Sequence, residues 1–150
     1  MQHTIHQLEK VINDYGPGLH KLKEEGFLSK PRQDKWSKKE ILGHLVDSAQ
    51  NNIRRFVVAQ YEDQPSIGYN QDKWVLAASY QQYDTADLVN LWILLNKHIC
   101  MLLKNLPEGV ELRECKTDRL RSIEWLAEDY IRHLRHHLHQ LLDLEPVAYP

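Results

Sequence analysis

Cysteine is scarce in this sequence: there are two in 150 residues, at positions 100 and 115. This number excludes a disulfide framework and a zinc site built from cysteines. No apolar run approaches the roughly 18 residues that a membrane span needs. No basic stretch followed by an apolar one stands at the N-terminus, so we expect no signal peptide. We predict a cytoplasmic protein without a membrane segment.

An excess of positive charge is also missing. The 19 Lys and Arg residues are balanced by 21 Asp and Glu, which leaves a formal net charge of -2. Because phosphate backbones are bound by clustered cations, nucleic acid is not expected as the main partner. The hydrophobic share of 42% and the charged share of 27% are typical of a globular protein. The length predicts one domain over residues 1–150.

Glycine and proline are few, at six each, and alternating β-branched runs are rare, so strands have little support. Helical periodicity is common instead. Apolar residues recur at three- and four-residue steps in four segments, residues 4–25, 37–61, 84–106 and 122–144. Ser37 with Glu40 fits a capping box, and Asp84 and Ser122 are suitable N-caps. The predicted fold class is all-α, a four-helix bundle.

Three interruptions divide the helical segments. Pro17, between two glycines, predicts a kink or break in the first helix, because proline removes a backbone donor. Residues 62–72 are predicted as loop, followed by a short helical turn over residues 73–80. Residues 107–121 are predicted as a second long loop. We expect these two loops to hold the substrate specificity.

Histidine is abundant, with nine in the chain and four between positions 133 and 139. At about 100° per residue on a helical wheel, His137 falls within the apolar stripe of the last helix and His133 on its edge. His136 and His139 fall on the solvent side. The inward pair has the i, i+4 spacing with which two imidazoles reach one metal ion.

A third ligand is expected from another helix, and His44 is the best candidate. It begins a line of polar residues along the edge of the apolar face of the second helix, continued by Ser48, Asn51 and Arg55. Unpaired buried polar groups cost on the order of 1–3 kcal/mol each, so this line indicates a cavity or a site. His98, in contrast, is predicted to be an ordinary core histidine.

Three neutral imidazoles without a carboxylate leave a divalent ion with open positions for water or substrate. Such an ion lowers the pKa of bound water from 15.7 to about 7, and it deprotonates a bound thiol. Zinc or nickel suits an all-imidazole set, since Mg²⁺ and Ca²⁺ prefer oxygen ligands. Two other classes stay open, namely a bundle in which the ion only braces two helices and a partner-binding helical module with an incidental histidine patch.

Three stretches of the chain carry a family pattern, namely WSKKEILGHLVDS at residues 36–48, YNQDKW at residues 69–74 and YIRHLRHH at residues 130–137. They resemble the DinB superfamily, especially its YfiT-like branch. Asn51, Arg55 and Phe56 continue the first match, and the similarity spans about residues 30–143. The resemblance implies a DinB-type four-helix bundle, often dimeric, in which His44, His133 and His137 hold one divalent ion.

The resemblance also implies a reaction class without choosing one: metal-dependent hydrolysis, transfer of a low-molecular-weight thiol, or isomerisation with a thiol cofactor. The expected partners are a small-molecule substrate and a second copy of the chain. Near the predicted site, Asp47 would orient a ligand imidazole or accept a proton. Asn51 would hydrogen-bond to substrate, and Arg55 would anchor an anionic substrate group. Alternatively, Asp47 is an exposed acid, Asn51 ties two helices together, and Arg55 forms a salt bridge within the bundle.

Overall fold

The computed structural model describes residues 1–149, and most of them are helical. The helices are α1 (Gln2–Lys21), α2 (Glu24–Leu28), α3 (Lys38–Val58), α4 (Gln71–Ala78), α5 (Thr85–Lys104) and α6 (Ile123–Leu141). Two strands, β1 (Glu114–Lys116) and β2 (Leu120–Ser122), form a short antiparallel hairpin. The four long helices α1, α3, α5 and α6 confirm the predicted all-α bundle.

The long helices α3, α5 and α6 begin at the residues that the sequence predicts. The Ser37 hydroxyl accepts a hydrogen bond from the Glu40 amide at 3.1 Å, and the Glu40 carboxylate accepts one from the Ser37 amide at 2.8 Å. This is a complete capping box. Asp84 and Ser122 cap α5 and α6 by accepting bonds from backbone amides of the first turn.

Packing between the helices fixes their order around the bundle. Helix α3 packs against α5 and α6, and α1 packs against the same two helices. The order around the bundle is therefore α1, α5, α3, α6, which places α1 and α3 on one diagonal. The core between them contains large side chains that are fully buried, including Leu8, Leu45, Phe56, Trp92 and Leu134. The arrangement makes α3 and α6 neighbours, as a site shared by the two helices requires.

Helix α1 continues through Pro17, so the predicted break is wrong, whereas the alternative of a kink stays a prediction. Both flanking glycines face other parts of the bundle. A Cβ atom at Gly16 would lie 3.6 Å from Ile93 on α5, and one at Gly18 would lie 3.3 Å from Leu142. Packing of the apolar face of α1 therefore outweighs the loss of one backbone donor. The helix ends at Lys21, and the separate helix α2 follows it.

The hairpin of β1 and β2 lies inside the connection that the sequence predicts as loop. Each strand has three residues, which is too short for an alternating pattern to stand out. The hairpin is joined to the other long loop, because the Lys116 amide donates to the Pro65 carbonyl and the Ile67 amide donates to the Lys116 carbonyl, each at 2.9 Å. The two predicted loops thus support each other.

One helix of residues 1–149, α5, is long and apolar enough to cross a membrane by length and composition alone. The same composition is typical of the core helix of a bundle. Helix α5 packs against both α1 and α3, and its residues Trp92 and Ile99 are fully buried. We therefore describe α5 as a core helix of the bundle.

Candidate metal centre

Three imidazoles meet between the neighbouring helices α3 and α6. His44 projects from α3, and His133 and His137 project from α6, one turn apart. One ring nitrogen of each lies within 4.8 Å of one ring nitrogen of the other two. The shortest separation joins Nε2 of His44 and Nε2 of His133, at 2.9 Å. The structure therefore brings together the three histidines that the spacing selected.

The protonation state of the cluster suits metal binding. Burial, with a smaller contribution from the nearby His137, lowers the pKa of His44 to about 3. Burial, again with help from the neighbouring imidazoles, lowers the pKa of His133 to about 2. The pKa of His137 is also lowered, mainly by burial. All three rings are therefore neutral at neutral pH, which is the form that binds metal.

The separations also fit an ion. Zinc–nitrogen bonds of about 2.0–2.1 Å place two tetrahedral ligand nitrogens ~3.3 Å apart. The nitrogens of the cluster lie within 4.8 Å of one another, so small side-chain rotations would bring them to that spacing. Among residues 1–149, this is the one group of three or more potential ligands close enough to hold an ion. The residues present therefore fit one divalent transition ion.

Neighbouring side chains orient two of the three rings. Nδ1 of His137 donates to the side-chain oxygen of Gln140 at 2.9 Å, which leaves Nε2 of His137 with its lone pair free. Nδ1 of His133 lies 3.4 Å from the Ser48 hydroxyl. The His44 ring lies against the indole of Trp36, with 5.0 Å between the ring centroids. Nδ1 of His44 is buried and has no hydrogen-bond partner in the described part of the chain.

The other histidines lie outside the cluster. His136 and His139 donate through Nδ1 to backbone carbonyls of the C-terminal segment, at Val147 and Glu145. They are half-buried under this segment, but their rings are not ligands of the cluster, as the wheel predicts. His98 is exposed on α5, so its prediction as a core histidine is wrong.

Asp47 is fully buried one turn beyond His44. Its Oδ1 accepts a hydrogen bond from the hydroxyl of Tyr80, whereas Oδ2 has no partner among residues 1–149. Burial raises the pKa of this carboxyl group to about 6, and the bond from Tyr80 opposes the rise. The alternative of an exposed acid is therefore wrong.

Tyr80 was not among the predicted site residues, although the sequence holds a trace of its position. A Cβ atom at residue 43 would lie 2.1 Å from the Tyr80 ring, so only glycine lets the ring approach α3. Gly43 is buried in the middle of a helix, where glycine costs roughly 0.5–1 kcal/mol relative to alanine. A glycine one residue before a predicted ligand is the signal that could have indicated this close contact.

Asn51 does not face the site. Its side-chain amide donates to the backbone carbonyl of Asp47 at 2.9 Å, four residues earlier on the same helix. This bond stays within α3 and ties no second helix, and Asn51 is not among the residues that line the cavity beside the histidines. Asn52, the next residue of α3, lines that cavity instead.

A cavity of about 280 Å³ opens beside the histidine cluster. Its walls come from α3, α6, the loop before α4 and the C-terminal segment, with Ser48, Asn52, Arg55, Tyr69, Gln71, Leu126, Asp129, Tyr130, His133, His136, His137 and Tyr149 as lining residues. A larger, more open groove of about 990 Å³ runs past Trp36 and Gln140, but none of the three histidines lines it. The smaller cavity is therefore the one that adjoins the candidate site.

Arg55 lies in this pocket without a carboxylate partner. Its Nε donates to the Ile67 carbonyl at 3.1 Å and its Nη1 to the Asn52 side-chain oxygen at 3.3 Å. Neither acceptor is charged. The alternative of a salt bridge within the bundle is therefore wrong for the described part of the chain.

The fold and the cluster together define a class, namely a four-helix bundle with three histidines from two neighbouring helices converging beside a polar pocket. The sequence profile of the DinB superfamily matches residues 7–141. The chain belongs to the DinB superfamily.

A solved structure shares the fold. The structure of YfiT from Bacillus subtilis covers 95% of this chain and 83% of its own length, with a TM-score of 0.84 and 21% sequence identity. It is described as a "probable metal-dependent hydrolase with an unusual four-helix bundle topology". At this identity the likeness shows the fold.

Two curated relatives carry the name "Putative metal-dependent hydrolase". The relative from Oceanobacillus iheyensis is 25% identical over 73 residues, which are 48% of this chain and 42% of that protein. The relative from Bacillus mycoides is 28% identical over 71 residues, which are 47% of this chain and 41% of that protein. The chain therefore aligns with about two-fifths of the length of each relative.

Proposed function

We propose that this protein is a metal-dependent hydrolase in which His44, His133 and His137 hold one divalent zinc or nickel ion. One observation carries the proposal: three neutral imidazoles converge, and two of them, His133 and His137, line a pocket of about 280 Å³. A structural zinc site usually has four protein ligands and no access to solvent, whereas a catalytic site has three and an open position. The names of the curated relatives support hydrolysis.

The chain's own residues would perform three tasks. The histidines hold the ion, which would supply the Lewis acidity that activates a small nucleophile near neutral pH. Gln140 and Ser48 orient the rings of His137 and His133. The fully buried Asp47 accepts a proton or orients His44. The pocket would take a small-molecule substrate.

A low-molecular-weight thiol as co-substrate is the alternative nucleophile. The chain's own thiols do not compete with it. Cys100 and Cys115 are both buried, and burial raises the pKa of each. Thiol transfer would therefore need an external thiol, and adding one is an arm of the test below.

The first measurement is the metal content of the freshly purified protein. We expect about one ion per chain, and we expect His44→Ala, His133→Ala and His137→Ala each to lose it. His98→Ala is the matched control, because His98 is an exposed histidine on another helix. Equal metal binding by all four variants would contradict the proposed centre.

The second measurement separates the two reactions from a bracing role. Zinc- and nickel-loaded protein is assayed against a panel of small esters and amides, with and without a low-molecular-weight thiol and an electrophile. Hydrolysis that is lost in His133→Ala supports the proposal, and turnover only with the thiol supports the alternative. A cobalt-substituted protein whose visible spectrum responds to neither substrate nor thiol would indicate an ion that only braces α3 and α6.

The homodimer stays a prediction.

A further inference from the structure

The guanidinium of Arg55 is the feature of the pocket that the proposed chemistry leaves unused. Its side chain is half-buried, and this burial lowers its pKa from the ordinary value. Arginine stays charged even so. Burying a charge is costly unless it is paired, because the lost hydration must be replaced. The two neutral oxygen atoms that Arg55 contacts replace only part of it.

No acidic side chain of residues 1–149 compensates this charge by direct contact. The acid that shares the pocket, Asp129, already accepts hydrogen bonds from Arg132 at 3.0 Å and from the Tyr149 hydroxyl at 2.9 Å. It attracts Arg55 without touching it. Arg55 is therefore a positioned cation with unused donor capacity, since two of its five N–H groups are engaged.

The surroundings of Arg55 hold it in place. The Tyr69 ring lies beside the guanidinium, with 5.9 Å from the ring centroid to the central carbon, and Tyr69 itself packs edge-on against Trp74. The anchoring carbonyl of Ile67 belongs to the loop that pairs with β1. Such a planar, fixed group favours a carboxylate, which it binds through two parallel hydrogen bonds.

The distance from the histidines sets the shape of the ligand. Arg55 follows Ser48 by seven residues on α3, which corresponds to about 10 Å along the helix. Ser48 lies next to His133, and both line the same cavity as Arg55. A ligand that reaches both ends must separate its two groups by several atoms.

We propose that Arg55 is the carboxylate-binding group of this pocket, so that the substrate is a small organic acid whose reacting group lies several atoms from its carboxylate. Only the part of this inference that concerns the reacting group, near the histidines, rests on the proposed function. The binding of a carboxylate by Arg55 can be tested without any reaction.

The first test follows the Nε–H signal of Arg55 by NMR on ¹⁵N-labelled protein as purified. Hexanoate is titrated, with hexanamide as its neutral match. We expect a saturable shift of this signal with hexanoate and none with hexanamide. The signal is assigned by its loss in Arg55→Gln. An unmoved Arg55 signal, or equal responses to the acid and the amide, would overturn the proposal.

The second test measures how much affinity a ligand gains when it contacts both the metal ion and Arg55. Cobalt-substituted protein is titrated with 6-mercaptohexanoate and with 6-mercaptohexan-1-ol, and the visible spectrum reports the binding of each. We expect the acid to bind at least tenfold more tightly than the alcohol. Arg55→Gln should bring the ratio of the two dissociation constants close to one.

Arg54→Gln is the matched control, because it removes the same charge from the adjacent, exposed position of α3. It should keep the tenfold preference, and an equal loss in both variants would show a long-range charge effect and overturn the proposal. Circular dichroism and thermal unfolding show whether each variant is folded. If cobalt gives no visible band in the wild-type protein, the metal centre fails, while the NMR titration still decides the role of Arg55.

Discussion

Asp47 and His44 are two residues that each leave one buried polar atom without a partner. Nδ1 of His44 needs an acceptor when Nε2 binds a metal, and Oδ2 of Asp47 needs a donor. Residues three apart on a helix are neighbours, with about 5–6 Å between their Cβ atoms. We infer that Nδ1 of His44 donates to Oδ2 of Asp47 when the ion is bound. Asp47 would then be a positioning residue for His44, in the way that carboxylates support metal-binding histidines.

Replacing Asp47 by Asn should therefore weaken metal binding. We expect Asp47→Asn to lose about 10- to 100-fold in zinc affinity, measured by competition with a chromophoric chelator. Asp63→Asn, which changes an exposed acid beyond α3, should bind zinc as the wild type does. Unchanged affinity in Asp47→Asn would mean that Asp47 serves Tyr80 alone.

The same substitution should change the pH dependence of stability. The pKa of Asp47 rises from an ordinary 3.8 to about 6 in the folded state. Between these values the unfolded chain releases the proton and the folded chain keeps it, so this carboxyl group lowers stability as pH rises. Relative to Asp47→Asn, the wild type should lose about 1–3 kcal/mol between pH 4 and pH 7.

Urea unfolding of the metal-free proteins at a series of pH values measures this difference. The comparison with the variant removes the contributions of the histidines, which act in the opposite direction because their pKa values are lowered. A difference between wild type and variant that does not change with pH would contradict a raised pKa at Asp47.

Helix α3 depends on one small residue for its contact with the turn after α4. The ring of Tyr80 occupies the space where any side chain at residue 43 would begin. This close approach lets the Tyr80 hydroxyl reach Asp47. Helix α3 therefore carries the predicted ligand His44, and the preceding residue, Gly43, leaves the space that Tyr80 needs to reach Asp47.

A methyl group at residue 43 should displace Tyr80. We expect Gly43→Ala to destabilise the protein by about 1–3 kcal/mol despite the better helix propensity of alanine, since overpacking of a core has this cost. Gly26→Ala is the control, because a Cβ atom there meets nothing within 4 Å. Chemical unfolding of both variants checks the prediction, and a Gly43→Ala protein as stable as Gly26→Ala would contradict it.

At this scale the sequence predicts what is periodic or locally capped. The starts of α3, α5 and α6 follow from their capping side chains, and the histidine pair follows from the angle between residues on one helix. Three features depend on contacts between segments far apart in the chain. They are the hairpin after α5, the position of Asn52 in the cavity wall and the close approach of Tyr80 to α3. The sequence identifies Arg55 as a candidate site residue, but only the folded structure shows that it has no carboxylate partner. Pro17 shows that tertiary packing can outweigh a local helix breaker.

The order of helices around the bundle gives the proposed ion a role for the whole molecule. Helices α3 and α6 follow each other in that order but are separated in sequence by α4, α5 and the hairpin. An ion held by His44, His133 and His137 would link the second and the fourth long helix. Because an ion that binds only the folded state adds to its stability, removal of the ion should be visible in the unfolding of the entire domain.

We expect chelation to lower the melting temperature. At a free metal concentration of 100 times Kd the added stability is about 2.7 kcal/mol. For a domain of this length, 1 kcal/mol corresponds to about 2–4 °C, so the shift should be about 5–10 °C. Thermal unfolding of zinc-loaded protein with and without a chelator measures it. His133→Ala should show no chelator effect, whereas His98→Ala should show the full one. A wild-type protein that binds one ion per chain and melts at the same temperature without it would show that the unfolded chain binds the ion as tightly as the folded one, which contradicts a site formed by α3 and α6 together.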